Sequence, residues 1–307
     1  MKKQIIQYSS AYDQQLMTAY HYVVSKPKAL VVVFHGMAEH QERYVDLANA
    51  WTQAGYDVLT MDHRGHGKSL FDGSLKGYFA DEDGWRRNLG DIHAIVEQIN
   101  PNSKYPVILL GHSMGSLFAR SYLKHYPDNV IGMLLSGSPD ESPLAAVGLN
   151  LAKVIALLFG KKHPSPLLTK MSFGSFNKAI ENPKSSMDWL SVDADNVRTY
   201  VADPLCGFDF TAQGFVDMLE GMHEVYEPKP WNVLNSKLPI QFFSGKLDPC
   251  WQPSGLEKAV AALKSQGYPN ISFEYLDGVR HEILNDFGKE ALTLRIITWM
   301  DALLPNK

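Results

Sequence analysis

Gly111-His112-Ser113-Met114-Gly115 sets a serine between two glycines, directly after the apolar run Pro106–Leu110 and directly before a helical pattern from Gly115 to Tyr126. That setting suits a nucleophile. The glycines let strand and helix close on one another around a strained turn, which pushes the serine hydroxyl out at the sheet edge. Ser113 would also stand at a helix N-terminus, where the backbone dipole favours developing negative charge. A hydroxyl is a weak nucleophile and needs a base, itself oriented by a carboxylate. For a serine on such a turn the partners follow in chain order, the acid and then the histidine, each beyond a later strand.

Asp248, after the run Ile240–Ser244, and His281, after Ile271–Leu276, stand in that order. Asp277 also follows a strand, but it precedes His281 closely and reads as the start of a turn at Gly278. His35, His63, His66 and His112 precede or adjoin Ser113 and read as residues that hold loops by hydrogen bonding. The oxyanion of an acyl transfer needs two donors. The backbone N–H of Met114 is one, and the N–H of Met37, in the loop His35-Gly36-Met37-Ala38-Glu39-His40, is the expected second. Asp62–Ser69 ends in Gly-Lys-Ser but lacks the first glycine and the spacing of a phosphate loop, so it reads as a turn in which Arg64 and His66 pin neighbouring loops. No His/Cys cluster has metal-ligand spacing, and neither a metal nor a cofactor is implied.

The elements that must carry these residues alternate. Ala29–Phe34 is a continuous apolar run of the kind buried on both faces of a parallel sheet. A helix over Glu42–Gly55, a strand over Tyr56–Met61, a helix over Trp85–Ile99, the Pro106–Leu110 strand, the helix after Ser113 and a strand over Val130–Leu135 follow. The sheet resumes with Ile240–Ser244, a helix over Pro253–Gln266, the strand Ile271–Leu276 and a last helix near Ala291–Leu304. Gln4–Tyr8 and Leu16–Val24 look like an antiparallel pair added at one edge. The fold class is therefore α/β: a mostly parallel sheet of eight strands with helices on both faces.

The rhythm breaks between residues 140 and 231, rich in Pro, Ser and Asn, with amphipathic pieces at Leu144–Phe159 and Ala212–Tyr226. An insertion that interrupts one sheet and hands it back is a cap. Residues 1–139 and 232–307 then form the core, and residues 140–231 the cap. In Leu144–Phe159 an apolar stripe (Leu144, Val147, Leu151, Val154, Ile155, Leu158) can pack on the core, line an acyl tunnel or touch a membrane surface.

Composition limits the alternatives. A net charge of −4 in 307 residues carries no basic nucleic-acid footprint. Two cysteines, Cys206 and Cys250, are too few for a disulfide framework; they border the pocket or are inert buried thiols. With no signal peptide at the start and no apolar run of roughly 20 residues, the chain reads as cytoplasmic, with peripheral membrane contact open through the cap.

These motifs in this order resemble the α/β-hydrolase superfamily, and within it the monoacylglycerol lipase and lysophospholipase branch. The specific part is the segment His35–Tyr44, the Asp62–Ser69 turn, Gly111–Gly115, Asp248-Pro249 and His281–Asn285. By position the resemblance implies Ser113, Asp248 and His281 as catalytic triad, Met37 and Met114 as oxyanion donors, and Gly36, Glu39, Arg43 and His112 as supports of the site. Ala38 stands where glycine is usual, which implies a loop less tolerant of positive φ. The implied activity is cofactor-free hydrolysis of small glycerolipid esters through an acyl-enzyme. A lysophospholipase or broad carboxylesterase is the alternative; a cationic pocket would favour the phospholipid, and Lys161-Lys162-His163 in the cap is no more than a hint of one. A peptidase of this fold and a non-catalytic small-molecule receptor are the more distant readings.

Overall fold

The computed structural model describes residues 2–71, 73–141, 144–250 and 255–304. Eight strands form one sheet: β1 (Lys2–Ser9), β2 (Leu16–Val23), β3 (Leu30–Phe34), β4 (Asp57–Met61), β5 (Val107–His112), β6 (Val130–Ser136), β7 (Ile240–Gly245) and β8 (Ile271–Leu276). Their spatial order is β1-β2-β4-β3-β5-β6-β7-β8. β1 and β2 pair antiparallel, β2 joins β4 antiparallel, and every pairing from β4 to β8 is parallel.

Side-chain alternation divides the core into two layers. Leu30, Val32 and Phe34 of β3, with Val107 and Leu109 of β5, pack towards α2 (Gly84–Ile99), α3 (Met114–His125), α7 (Ala212–Tyr226) and α8 (Gly255–Ser265). Val31, Val33, Ile108 and Leu110 face the other way, towards α1 (Val45–Gln53) and α9 (Lys289–Ala302). Strands buried on both faces read as unbroken apolar runs, which is why β3 and β5 are plain in the sequence. The expected start of α8 at Pro253 lies outside the described residues.

Between β6 and β7 come α4 (Leu144–Phe159), α5 (Pro166–Phe173), α6 (Ala194–Ala202) and α7. α7 packs on α2 and α3, and α4 packs on α7. Periodicity alone missed α5 and α6. Both are short and carry their signal at the N-terminus. The Ser165 hydroxyl accepts from Leu168 N–H with Pro166 at the first helical position, and the Asp193 carboxylate accepts from Asp195 N–H.

Candidate active site

β5 delivers Ser113 through a turn only glycines allow. A Cβ on Gly115 would lie 2.0 Å from the Phe34 carbonyl oxygen, and one on Gly111 2.3 Å from that of Gly115. Ser113 itself has φ +53° and ψ −122°, a strained conformation for a non-glycine residue. Two bonds hold the turn: Ser113 N–H donates to Ser136 O at 2.9 Å, and the Ser116 hydroxyl donates to Ser113 O at 2.6 Å.

His281 and Asp248 meet beside it. His281 Nδ1 lies 2.8 Å from Asp248 Oδ2, with both side chains buried. Cys250 N–H donates to Asp248 Oδ1 at 2.8 Å, which fixes the carboxylate plane. Burial would depress the His281 pKa, but the Asp248 charge and hydrogen bond, with Glu282 and Glu39 nearby, hold it above its ordinary 6.5. Asp277 points away, with its exposed carboxylate 2.6 Å from Lys246. Cys250 Sγ is 3.9 Å from His281 Nε2, so this thiol stands at the site, while burial pushes its pKa up and keeps it protonated.

The loop bearing Met37 is held from below and above. Met37 N–H donates to no acceptor among the described residues, and Met114 N–H is the first of α3, without an intrahelical partner. Ala38 has φ +52°, so the loop adopts the left-handed conformation that the alanine was expected to resist. Its polar groups explain how. Ala38 N–H donates to His66 Nε2 at 3.3 Å, while its carbonyl accepts from Tyr200 OH at 2.8 Å and Gly207 N–H at 2.9 Å. His66 can accept because its Nδ1 is engaged by Arg64 O at 2.8 Å and because burial lowers its pKa well below the ordinary value, leaving the ring neutral. Arg64 is anchored in turn on Asp91, Asp13 and Ser10.

Glu39 and Arg43 form the second brace. Glu39 Oε1 accepts from Gly36 N–H and from Tyr44 OH, the latter at 2.8 Å, and its Oε2 pairs with Arg43 at 2.9 Å. Arg43 also clasps both oxygens of Glu282 and reaches Asn196 Oδ1 at 3.0 Å. Burial would raise the Glu39 pKa, but Arg43 and these donors hold it below the carboxylate range. His112, pushed down to about 4 by burial and by His281, is neutral; its Nδ1 lies 3.2 Å from Ser136 Oγ. Glu282, Tyr44, Asn196 and Tyr200 were given no site role from the sequence, although Tyr44 and Glu282 stand in the segments that carry the resemblance. Asn196 and Tyr200 carried no local signal.

Ser113, His281, Met37 and Glu282 line one cavity of about 290 Å3, whose other walls include Thr169, Lys170, Phe173, Trp189, Leu190 and Phe208. Trp189 lies against His281, with ring centroids 5.0 Å apart. None of Lys161, Lys162 and His163 reaches this cavity.

Residues 25–287 match the family described as "Serine aminopeptidase, S33". The chain belongs to this family of α/β-hydrolases. Among similar chains, a monoacylglycerol lipase of Mycolicibacterium smegmatis is 27% identical over 282 residues, spanning 89% of this chain and 88% of that one. Human monoglyceride lipase is 27% identical over 266 residues, spanning 84% and 77%. A thermostable carboxyl esterase of Bacillus coagulans, solved in complex with glycerol, superposes with a TM-score of 0.88 at 27% identity over 99% of each chain.

Proposed function

We propose that this chain is a serine carboxylester hydrolase that cleaves monoacylglycerol-type lipids through an acyl-enzyme on Ser113. The observation that carries this reading is one cavity lined both by Ser113, His281 and Met37 and by Phe173, Trp189, Leu190 and Phe208: a hydroxyl and an imidazole opening into apolar space. The relatives named monoacylglycerol lipase and the glycerol-bound esterase support it.

In this mechanism His281 Nε2 takes the Ser113 proton as Oγ attacks the ester carbonyl. Asp248 holds Nδ1–H, so the imidazole presents the right nitrogen and its cationic form is stabilised. The Met37 and Met114 amides receive the tetrahedral oxyanion. Collapse expels the alcohol, which leaves with the proton from His281. Water then repeats the sequence and releases the fatty acid. An aminopeptidase would need a free carboxylate for the substrate's ammonium. Among the described residues Glu39 and Glu282 are the acidic groups on the cavity wall, and Arg43 pairs with both, which favours the uncharged ester.

The insertion, residues 140–231, serves in this reading as the cap that supplies the apolar walls. Leu157 and Leu158 are 83% and 68% exposed, and Leu144, Val147, Val154 and Phe159 are also open to solvent. Of the stripe read from sequence, only Ile155 is buried. An apolar helix face of this kind suits a lipid surface, as do the exposed Leu167 and Met171 of α5, and no helix among the described residues is long and apolar enough to cross a membrane. Lys170 is the one lysine or arginine on the cavity wall among the described residues, and it supports a lysophospholipid as second substrate. A panel of esters with varied acyl chain and head group, run against wild type and Ser113→Ala, tests the reading. Monoacylglycerols are expected to be preferred, with a phosphate-bearing head group accepted only where Lys170 is intact. Peptide cleavage without ester cleavage would defeat it.

A further inference from the structure

Three residues distant in the chain meet at the seam between the insertion and the Met37 loop. His40 Nε2 lies 2.9 Å from Asp203 Oδ2, and Cys206 Sγ completes a group whose ligand atoms all lie within 4.8 Å of one another. A turn makes this possible: Cys206 N–H donates to Asp203 O at 3.0 Å, bringing positions three apart to the same side. Asp203 Oδ1 accepts from Leu205 N–H at 2.8 Å, an outer-shell bond of the kind that orients a ligating carboxylate and leaves Oδ2 free to face His40. His40 is buried and the other two are half-buried, so the group is shielded yet within reach of solvent. The carboxylates of Asp203, Glu39 and Glu282 act on Cys206 together with the Arg43 guanidinium.

We propose that His40, Asp203 and Cys206 form a zinc site, with water as fourth ligand, that clamps the insertion to the oxyanion loop. Imidazole, carboxylate and thiolate together suit this borderline-soft cation better than magnesium or calcium, which take oxygen ligands. On binding, the Cys206 S–H proton leaves to solvent as the zinc–sulfur bond forms, and the neutral His40 ring gives up its Nε2–H contact with Asp203, carries its proton on Nδ1 instead and bonds the metal through the freed Nε2 lone pair. The chain spacing gives no sign of the site because His40 and Asp203 are 163 residues apart. Its position gives it a role: Asp203 and Cys206 lie between Tyr200 and Gly207, the two residues that hold the Ala38 carbonyl. The proposal does not depend on which ester the enzyme cleaves.

Chelator-treated full-length protein titrated calorimetrically with zinc chloride, in two buffers of different ionisation enthalpy, tests it. One zinc per chain and release of about one proton are expected, with affinity at least about tenfold weaker in Cys206→Ser and His40→Ala. Cobalt(II) in place of zinc should give a thiolate-to-cobalt absorption band that persists in Cys250→Ser and vanishes in Cys206→Ser. Circular dichroism of each variant without metal shows that folding is retained. Heats no larger than the buffer blank overturn the proposal. So does a cobalt band that follows Cys250, which would place the metal at His281 and Asp248 instead.

Discussion

The two halves of the insertion are built differently. Residues 188–207 are bolted to both loops of the candidate site. Glu282 N–H donates to Leu190 O at 2.7 Å, Arg280 donates to the Asp188 and Ser191 carbonyls, and Asp286 accepts from Val192 and Asp193 N–H. Asn196, Tyr200, Asp203 and Gly207 then grip the Met37 loop at Arg43, Ala38 and His40. Residues 144–173 are the reverse. α4 packs on α7, and α4 and α5 present apolar side chains to solvent. The grips of residues 188–207 on the site loops are polar and directional; the outward faces of α4 and α5 are apolar and open. Hydrogen bonds fix geometry where catalysis needs sub-ångström placement, and greasy surface serves where a substrate must only partition.

The sharpest way to break this contrast is to cut the polar half. Arg43→Met leaves Glu39 and Glu282 buried without their cation, a loss of about 3–5 kcal/mol. A lower thermal midpoint is expected, with a drop in kcat/KM of roughly 10²-fold as the Met37 donor loses its brace; unchanged kinetics would detach residues 188–207 from catalysis. Tyr200→Phe removes one hydrogen bond to Ala38, worth about 1 kcal/mol, and should lower kcat about fivefold with KM little moved. The apolar half should behave oppositely: Val154→Asp with Leu158→Asp should abolish sedimentation with liposomes while hydrolysis of a short soluble ester stays within about twofold. Retained liposome binding would remove the surface role of α4. The smallest effect is electrostatic. In the proposed mechanism only neutral imidazole accepts the Ser113 proton, so the raised pKa of His281 should put the acid limb of kcat/KM above pH 6.5. Glu282→Gln withdraws one of the charges that raise it, so the limb should move to lower pH; a limb that stays in place would contradict the assignment of cause.

The same contrast explains what could be read from the sequence. β3 and β5 are doubly buried runs, and the turn at Ser113 needs glycine at 111 and 115, so sheet and candidate serine leave local marks. Asp248 and His281 follow from chain order alone, and the structure brings them together at 2.8 Å. The bolted half leaves few marks because its partners are remote: Tyr200 reaches Ala38 across 162 positions and Asn196 reaches Arg43 across 153. The stripe in α4 was visible, but periodicity does not say which side meets protein. Helix α7 covers Ala152 and Ile155 and leaves most of the stripe outside.

The central claim is that Ser113 is a nucleophile activated by His281 and Asp248. Intact-mass analysis after reaction with a fluorophosphonate, followed by peptide mapping, tests it most directly. The account predicts one adduct per chain, on Ser113, absent in Ser113→Ala and formed far more slowly in His281→Ala. An adduct on another residue, or ester hydrolysis that survives Ser113→Ala, would contradict it.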